Sequence, residues 1–223
     1  MPSPANLDCD KRFNLNSPSM ATGGISAFRN FKALILVYFL TIVACAGAEN
    51  VAYCDSVPMQ YVDWSHNFTL PKFDSNLGIL KSVDIGLEVN LSPQVQMENT
   101  GPRNFSINSS IVSVLTLLLP DGQGIKANAS LAINQDLQPY DWAVDYSGSS
   151  GINYTETSSS GIVTYSIKDM SDFVAGKPGE KIMMVGLMEC MQNTSTSGSA
   201  SSSIRAKAGA SVCVSYQYDA GAS

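Results

Sequence analysis

The sequence predicts an all-β protein: an antiparallel β-sandwich, jelly-roll-like or Ig-like, preceded by an N-terminal signal segment. Three observations carry this reading. Long stretches alternate apolar and polar residues with period two. Gly-, Pro- and Ser-rich turns separate them. Only one short stretch, "KDMSDFVAG", has the character of a helical turn.

Residues 1–28 are polar and show no hydrophobic period. Arg29 and Lys32 then precede an apolar run, "ALILVYFLTIVACAGA", from Ala33 to Ala48. Basic residues, a short apolar core and small residues at its end describe a secretory signal. The run is shorter than the about 20 residues that span a bilayer. Met20 would give a more ordinary signal than Met1 as the start. Two processing sites compete. Ala46-Gly47-Ala48 puts small residues at −3 and −1 and would release a chain beginning at Glu49. Ile42-Val43-Ala44-Cys45 is a loose lipobox with Cys45 as the lipidated residue. An uncleaved anchor ranks third. Residues 1–48 are therefore expected to be a targeting segment, 49–57 a linker or first edge, and 58–219 the sandwich.

The clearest strand is "SVDIGLEVNL". Val83, Ile85, Leu87, Val89 and Leu91 fall on one face, and Ser82, Asp84, Gly86, Glu88 and Asn90 on the other. "SIRAKAGASVCVSYQY" alternates in the same way, with Ile204 to Tyr218 in steps of two on the apolar face and Cys213 opposite, beside Ser211 and Ser215. Further strands are expected in "MQYVDWSHNFTL", "NFSINSS", "VSVLTLLL", "ANASLAIN", "GIVTYSI" and "KIMMVGLMECMQ". "LPDGQG" and "GKPGEK" carry turn chemistry, and 147–151 and 195–203 read as loops or hairpin ends.

Charge excludes two partner classes. After residue 48, nine basic residues face seventeen acidic ones, a net charge of −8. A chain this acidic offers no footprint for nucleic acid, and no basic cluster for anionic lipid. Contact with a membrane is expected only through the N-terminal segment or a lipid at Cys45. Three cysteines remain after the signal: Cys54, Cys190 and Cys213. One bridge at most can form, leaving one thiol. Cys54 with Cys213 is the preferred pair, because the first and last segments of a sandwich are often neighbours.

Export gives meaning to the Asn-x-Ser/Thr sequons at Asn67, Asn90, Asn104, Asn108, Asn128, Asn153 and Asn193. They are seven of the eleven asparagines after residue 48. Pro93 weakens the sequon at Asn90.

Chemistry is sparse. His66 is the single histidine, no metal-ligand spacing of Cys or His occurs, and no cofactor is expected. "NQDLQPYDWAVDY" holds Asp136, Asp141 and Asp145, of which Asp141 and Asp145 are weak Ca²⁺ candidates, more simply read as solvated loop acids. Tyr140, Trp142 and Tyr146 occupy even positions there. In an extended segment they would share a face and form a stacking platform for a sugar, with Trp64 as a further aromatic. Met183, Met184, Met188 and Met191 are expected to fill core.

At "FDSNLGILKSVDIGLEVNL" the pattern Phe-Asp-x-x-Leu-Gly-x-Leu-x-x-Val, followed by alternating strand, resembles the choice-of-anchor E domain of secreted prokaryotic surface proteins. "MEN" (97–99), "LLLPDG" (117–122), "MSDFVAG" (170–176) and "ASVCVSYQYD" (210–219) extend the resemblance over residues 58–219. It implies a β-sandwich on or released from the cell surface, tied to no catalytic activity. The family's C-terminal sorting tail has no counterpart in "DAGAS", so any anchor is expected at the N-terminus. The expected function is a non-enzymatic structural or adhesive surface module. Its expected partners are envelope components, other surface proteins or glycans. Carbohydrate binding through the 140–146 aromatics is the runner-up, and a secreted hydrolase comes third.

Overall fold

The computed structural model describes residues 48–221. Residues 1–47 of the targeting segment, with Cys45 and both alternative starts, lie outside them. Ten strands form two antiparallel sheets: β1 Ala48–Tyr61, β2 Trp64–Pro71, β3 Gly78–Asn99, β4 Phe105–Leu118, β5 Gly124–Leu137, β6 Gly151–Thr155, β7 Ser158–Ser159, β8 Val163–Ser166, β9 Lys181–Thr196 and β10 Ala200–Ala220. One sheet has the order β1-β10-β3-β6, with β7 and β8 also paired to β3; the other has the order β2-β9-β4-β5. Taking β6 to β8 as one interrupted edge, this is the eight-stranded jelly-roll order. Among the described residues no helix is long and apolar enough to cross a membrane.

The inward faces follow from period two. In β3, Val83 through Leu91 are fully buried on the odd positions. In β10, Ala208, Ala210, Val212, Val214 and Tyr216 are buried on the even ones. Pro93, which cannot donate to a ladder, falls where β3 has no edge partner, between the residues paired to β7 and those paired to β6. The Tyr216 hydroxyl donates to the Pro71 carbonyl at 2.9 Å, tying the two sheets together. Burial raises this phenol far above the usual tyrosine range, so it stays a donor.

Three expectations need correction, and one is decided between its two alternatives. Residues 49–57, read as a linker or a first edge, are the edge: they belong to β1, which pairs with β10 from Ala48↔Asp219 onward, so the sandwich begins ten residues before position 58. Its alternation is broken by Asp55 on the inward side. That carboxylate accepts the Thr69 amide of β2 at 3.1 Å and lies 3.9 Å from His66, which satisfies one backbone donor of an edge strand. "NFSINSS" and "VSVLTLLL" are one continuous strand, β4. "MQYVDWSHNFTL" is instead two strands, broken at Asp63, where φ is +65°. Of the four methionines, only Met184 and Met188 are core; Met183 and Met191 are 58% and 59% exposed on the outer face.

Cys54 and Cys213 stand opposite each other in the β1–β10 register and form a disulfide that closes a loop of sequence separation 159. Cys190 has no disulfide partner among the described residues; it is half-buried, and burial pushes its thiol up, making it a poor nucleophile. Replacing both Cys54 and Cys213 by Ser is expected to cost about 4 kcal/mol, because the crosslink restricts a long loop of the unfolded chain. Urea unfolding of the full chain, oxidised against double variant, measures it.

Candidate functional site

The loop 138–150, between β5 and β6, is built on two consecutive buried polar residues at the end of β3. Asn99 is fully buried. Its Nδ2 donates to the carbonyls of Arg103 at 2.7 Å and Gln138 at 2.6 Å, and its Oδ1 accepts the Gly101 amide at 2.8 Å. One side chain thus replaces three backbone partners that two irregular segments cannot supply to each other. The Asn99 amide itself donates to Ser150 O at 2.8 Å. The loop is closed by Gln138 N donating to Ser149 O at 2.9 Å, and pinned to the neighbouring turn by Tyr140 N donating to Gly101 O at 2.9 Å.

Glu98 points the other way, onto the outer face of its sheet, yet is also fully buried. The loop folds over it. Oε2 accepts the Tyr146 amide at 2.8 Å, while Oε1 is buried without a partner among the described residues. The space for this contact comes from Gly151, paired with Glu98 in the register. A Cβ there would lie 2.3 Å from Glu98 Oε2, 2.5 Å from Ser147 N and 2.7 Å from the Tyr146 carbonyl carbon.

The aromatics do not share one face of an extended segment, as expected from their spacing. The chain here is a tight loop, with Trp142 at φ +73° and Tyr146 at φ +56°, so alternation does not set side-chain direction. Tyr140 and Trp142 still meet, their ring centroids 5.7 Å apart at 50°. Trp142 is 88% exposed. Tyr146 is half-buried and turns away, its hydroxyl 3.4 Å from Ser201 Oγ on β10. Trp64 sits in β2, packed against the core, with Nε1 donating to Ala208 O at 3.2 Å. The platform is thus a pair, Tyr140 and Trp142, with Val144 nearby in sequence and 49% exposed.

Asp141 and Asp145 serve the loop itself. Asp141 Oδ1 accepts the Ala143 amide at 3.1 Å, and Asp145 Oδ1 accepts both the amide and the hydroxyl of Ser147, at 3.0 and 2.8 Å. Asp136, on β5, accepts the Ser106 hydroxyl. Among the described residues no group of three His, Cys, Asp or Glu is placed to hold a metal ion.

A separate cleft of about 290 Å³ is lined by Asp121, Asp169, Asp172, Lys168 and Phe173, from the turns the sequence showed as "LPDGQG" and "KDMSDFVAG". Asp121 and Asp169 each accept an amide two residues on, from Gln123 and Ser171. The bonds from Ser171 hold the Asp169 carboxyl below its ordinary range, the wrong direction for a general acid.

No protein-family model matches this chain, and no curated protein sequence matches it. Solved structures from infectious bursal disease virus do. The structure of the Gx strain is 9% identical over 76% of this chain, at TM-score 0.20. The VP2 subviral particle is 12% identical over 77%, at TM-score 0.21. The chain spans 37% and 38% of the length of those two virus chains. At such scores the likeness carries nothing over; the jelly-roll order stands on the strand pairing alone.

Gly151→Ala is expected to lose about 2 kcal/mol, because the new methyl group meets backbone as well as Glu98, and the crowded loop must move. Thermal unfolding of the full chain against the variant measures the loss.

Proposed function

We propose that the chain is an exported surface module, without catalysis of its own, that adheres to a partner through the Tyr140–Trp142 knuckle. The observation that carries the reading is Trp142: a large apolar ring, 88% exposed, at positive φ, on a loop fastened at both ends by buried polar residues. Burying such a ring would recover on the order of 2 kcal/mol. Strain and exposure retained together point to use. A loop already held in shape also gives up little entropy when it binds.

Three further observations support export. The apolar run 33–48 has the order of a secretory signal, and its small-residue cut would leave Glu49, the second residue of β1. The Cys54–Cys213 disulfide suits an oxidising compartment. The resemblance to the choice-of-anchor E domain implies the same location. Whether release or a lipid at Cys45 follows is read directly from the mass of the mature N-terminus.

A second reading makes the partner a glycan. Two aromatic rings at 5.7 Å and 50° form a bent apolar surface on which a sugar ring can lie, with Asp141 beside Trp142 in sequence to meet hydroxyls. On this reading, Trp142→Ala is expected to abolish glycan-array binding, at least tenfold in apparent affinity, while unfolding stability shifts by no more than about 0.5 kcal/mol, as for other exposed sites. Adhesion to whole cells lost in Trp142→Ala without any glycan signal would leave the first reading and remove the second. Unchanged adhesion and unchanged array binding would remove both.

A further inference from the structure

The outer face of the β2-β9-β4-β5 sheet is unusually bare of charge. Of its outward residues only Lys126, Asp136, Lys181 and Glu189 are ionisable. At its centre lie Met183, Leu187, Met191 and Leu118, 58%, 37%, 59% and 36% exposed. Such a face, interrupted on β9 by Glu189 between Leu187 and Met191, is a surface for self-association unless something covers it.

Four of the seven sequon asparagines project from this same face: Asn67 on β2, Asn108 on β4, Asn128 on β5 and Asn193 on β9, all exposed. Period two places each sequon's hydroxyl residue (Thr69, Ser110, Ser130 and Ser195) on the same side as its asparagine. The register sets three of them beside the apolar residues; Asn108, opposite Ser195, lies further along β4. Asn67 pairs with Val185, so Met183 and Leu187 are its diagonal neighbours. Asn193 follows Met191 by two residues on one strand. Asn128 stands opposite Val114, one pair away from the Met191–Val112 pair. The other sheet's outer face carries Asn90 and Asn153, and Asn104 lies in a loop.

We propose that the β2-β9-β4-β5 face is the N-glycosylated face, and that glycans at Asn67, Asn108, Asn128 and Asn193 shield its apolar centre. The proposal rests on export and is independent of what the Trp142 loop binds. The donor is an oligosaccharide carried on a lipid pyrophosphate, transferred as the exported chain crosses the membrane. Asn Nδ2 bonds to the anomeric carbon, the bond from that carbon to the pyrophosphate oxygen breaks, the amide gives up one proton, and the lipid pyrophosphate leaves. Bulky, hydrated sugars then stand over the methionines. The Trp142 loop, at the end of β3 in the other sheet, carries no sequon of its own.

The test is the full chain secreted from a eukaryotic host. Glycans are removed by peptide N-glycosidase in heavy-oxygen water, so each modified asparagine becomes a labelled aspartate that peptide mass mapping locates. The expected result is label at the four face sites, together with a monomer that self-associates and binds a hydrophobic dye once the glycans are gone. Met183→Ser with Met191→Ser is expected to keep the glycan-free protein monomeric and dye-silent. Exported protein unlabelled at the four sites overturns the proposal. So does glycan-free protein that stays monomeric and dye-silent without those substitutions. A chain retained in cells with residues 1–48 attached sinks export itself, a different and recognisable failure.

Discussion

The rest of the molecule depends on the antiparallel pairing of β3 with β10. These are the two longest strands, 22 and 21 residues, and they pair from Gly78↔Ala220 to Asn99↔Ala200 with a single irregularity. Such a ladder satisfies two whole strands of backbone donors and acceptors at once. It also fixes which residues face inward: a slip by one residue would turn Val83–Leu91 and Ala208–Tyr216 to solvent together. Every other strand of that sheet is an attachment to this pair. β1 is held by ladder bonds to β10 and by the Cys54–Cys213 bridge, and β6, β7 and β8 decorate the far side of β3 in three short pieces.

The aromatic loop is built where this ladder stops. A strand that ends against two irregular segments leaves backbone groups with no regular partner, and water is excluded there. Asn99 and Glu98 fill that need on opposite faces of β3: the amide for the 101–103 turn and Gln138, the carboxyl for the Tyr146 amide. Buried polar groups add little net stability when satisfied and cost much when unpaired, so this pair works by geometry. It selects one loop conformation out of many. The loop so selected tolerates left-handed backbone at Trp142 and Tyr146 and leaves the Trp142 ring in solvent. Strand pairing and loop shape are thus coupled through the chain: the ladder ends, two polar side chains close the gap, and the gap-closing loop presents the aromatic pair.

Much of the sandwich was legible in the sequence because period two is a direct imprint of burial on one face. Ser82–Leu91 of β3 and Ile204–Tyr216 of β10 show it in full, and Cys213 reads correctly as facing away from the core. The first strand was legible only as an alternative to a linker. Asp55 sits at an inward position and breaks the alternation, and its reason for being there, the Thr69 amide of β2, is a tertiary contact. The site was half legible. Spacing in "PYDWAVDY" marks aromatic residues but treats a pinned loop as if it were a strand, so Tyr140 and Trp142 meet for reasons of loop closure, not alternation. The "MEN" motif was visible as a strand end before a loop; that both polar residues are buried, and that Gly151 makes room for one of them, depends on register with a strand some fifty residues on. The methionines show the converse. Alternation alone separates Met184 and Met188 from Met183 and Met191, and grouping them by residue type concealed an exposed patch.

Hydrogen exchange followed by mass spectrometry tests most directly whether the buried pair at the end of β3 holds the aromatic loop. The expected result is that the amides of Gln138, Tyr140 and Tyr146 exchange at least a hundredfold more slowly than open chain in the parent protein. In Asn99→Ala the first two should lose that protection selectively, while Val83–Leu91 and Ala208–Tyr216 keep theirs. Loop amides that exchange at the open-chain rate in the parent, or that keep their protection without Asn99, would contradict it.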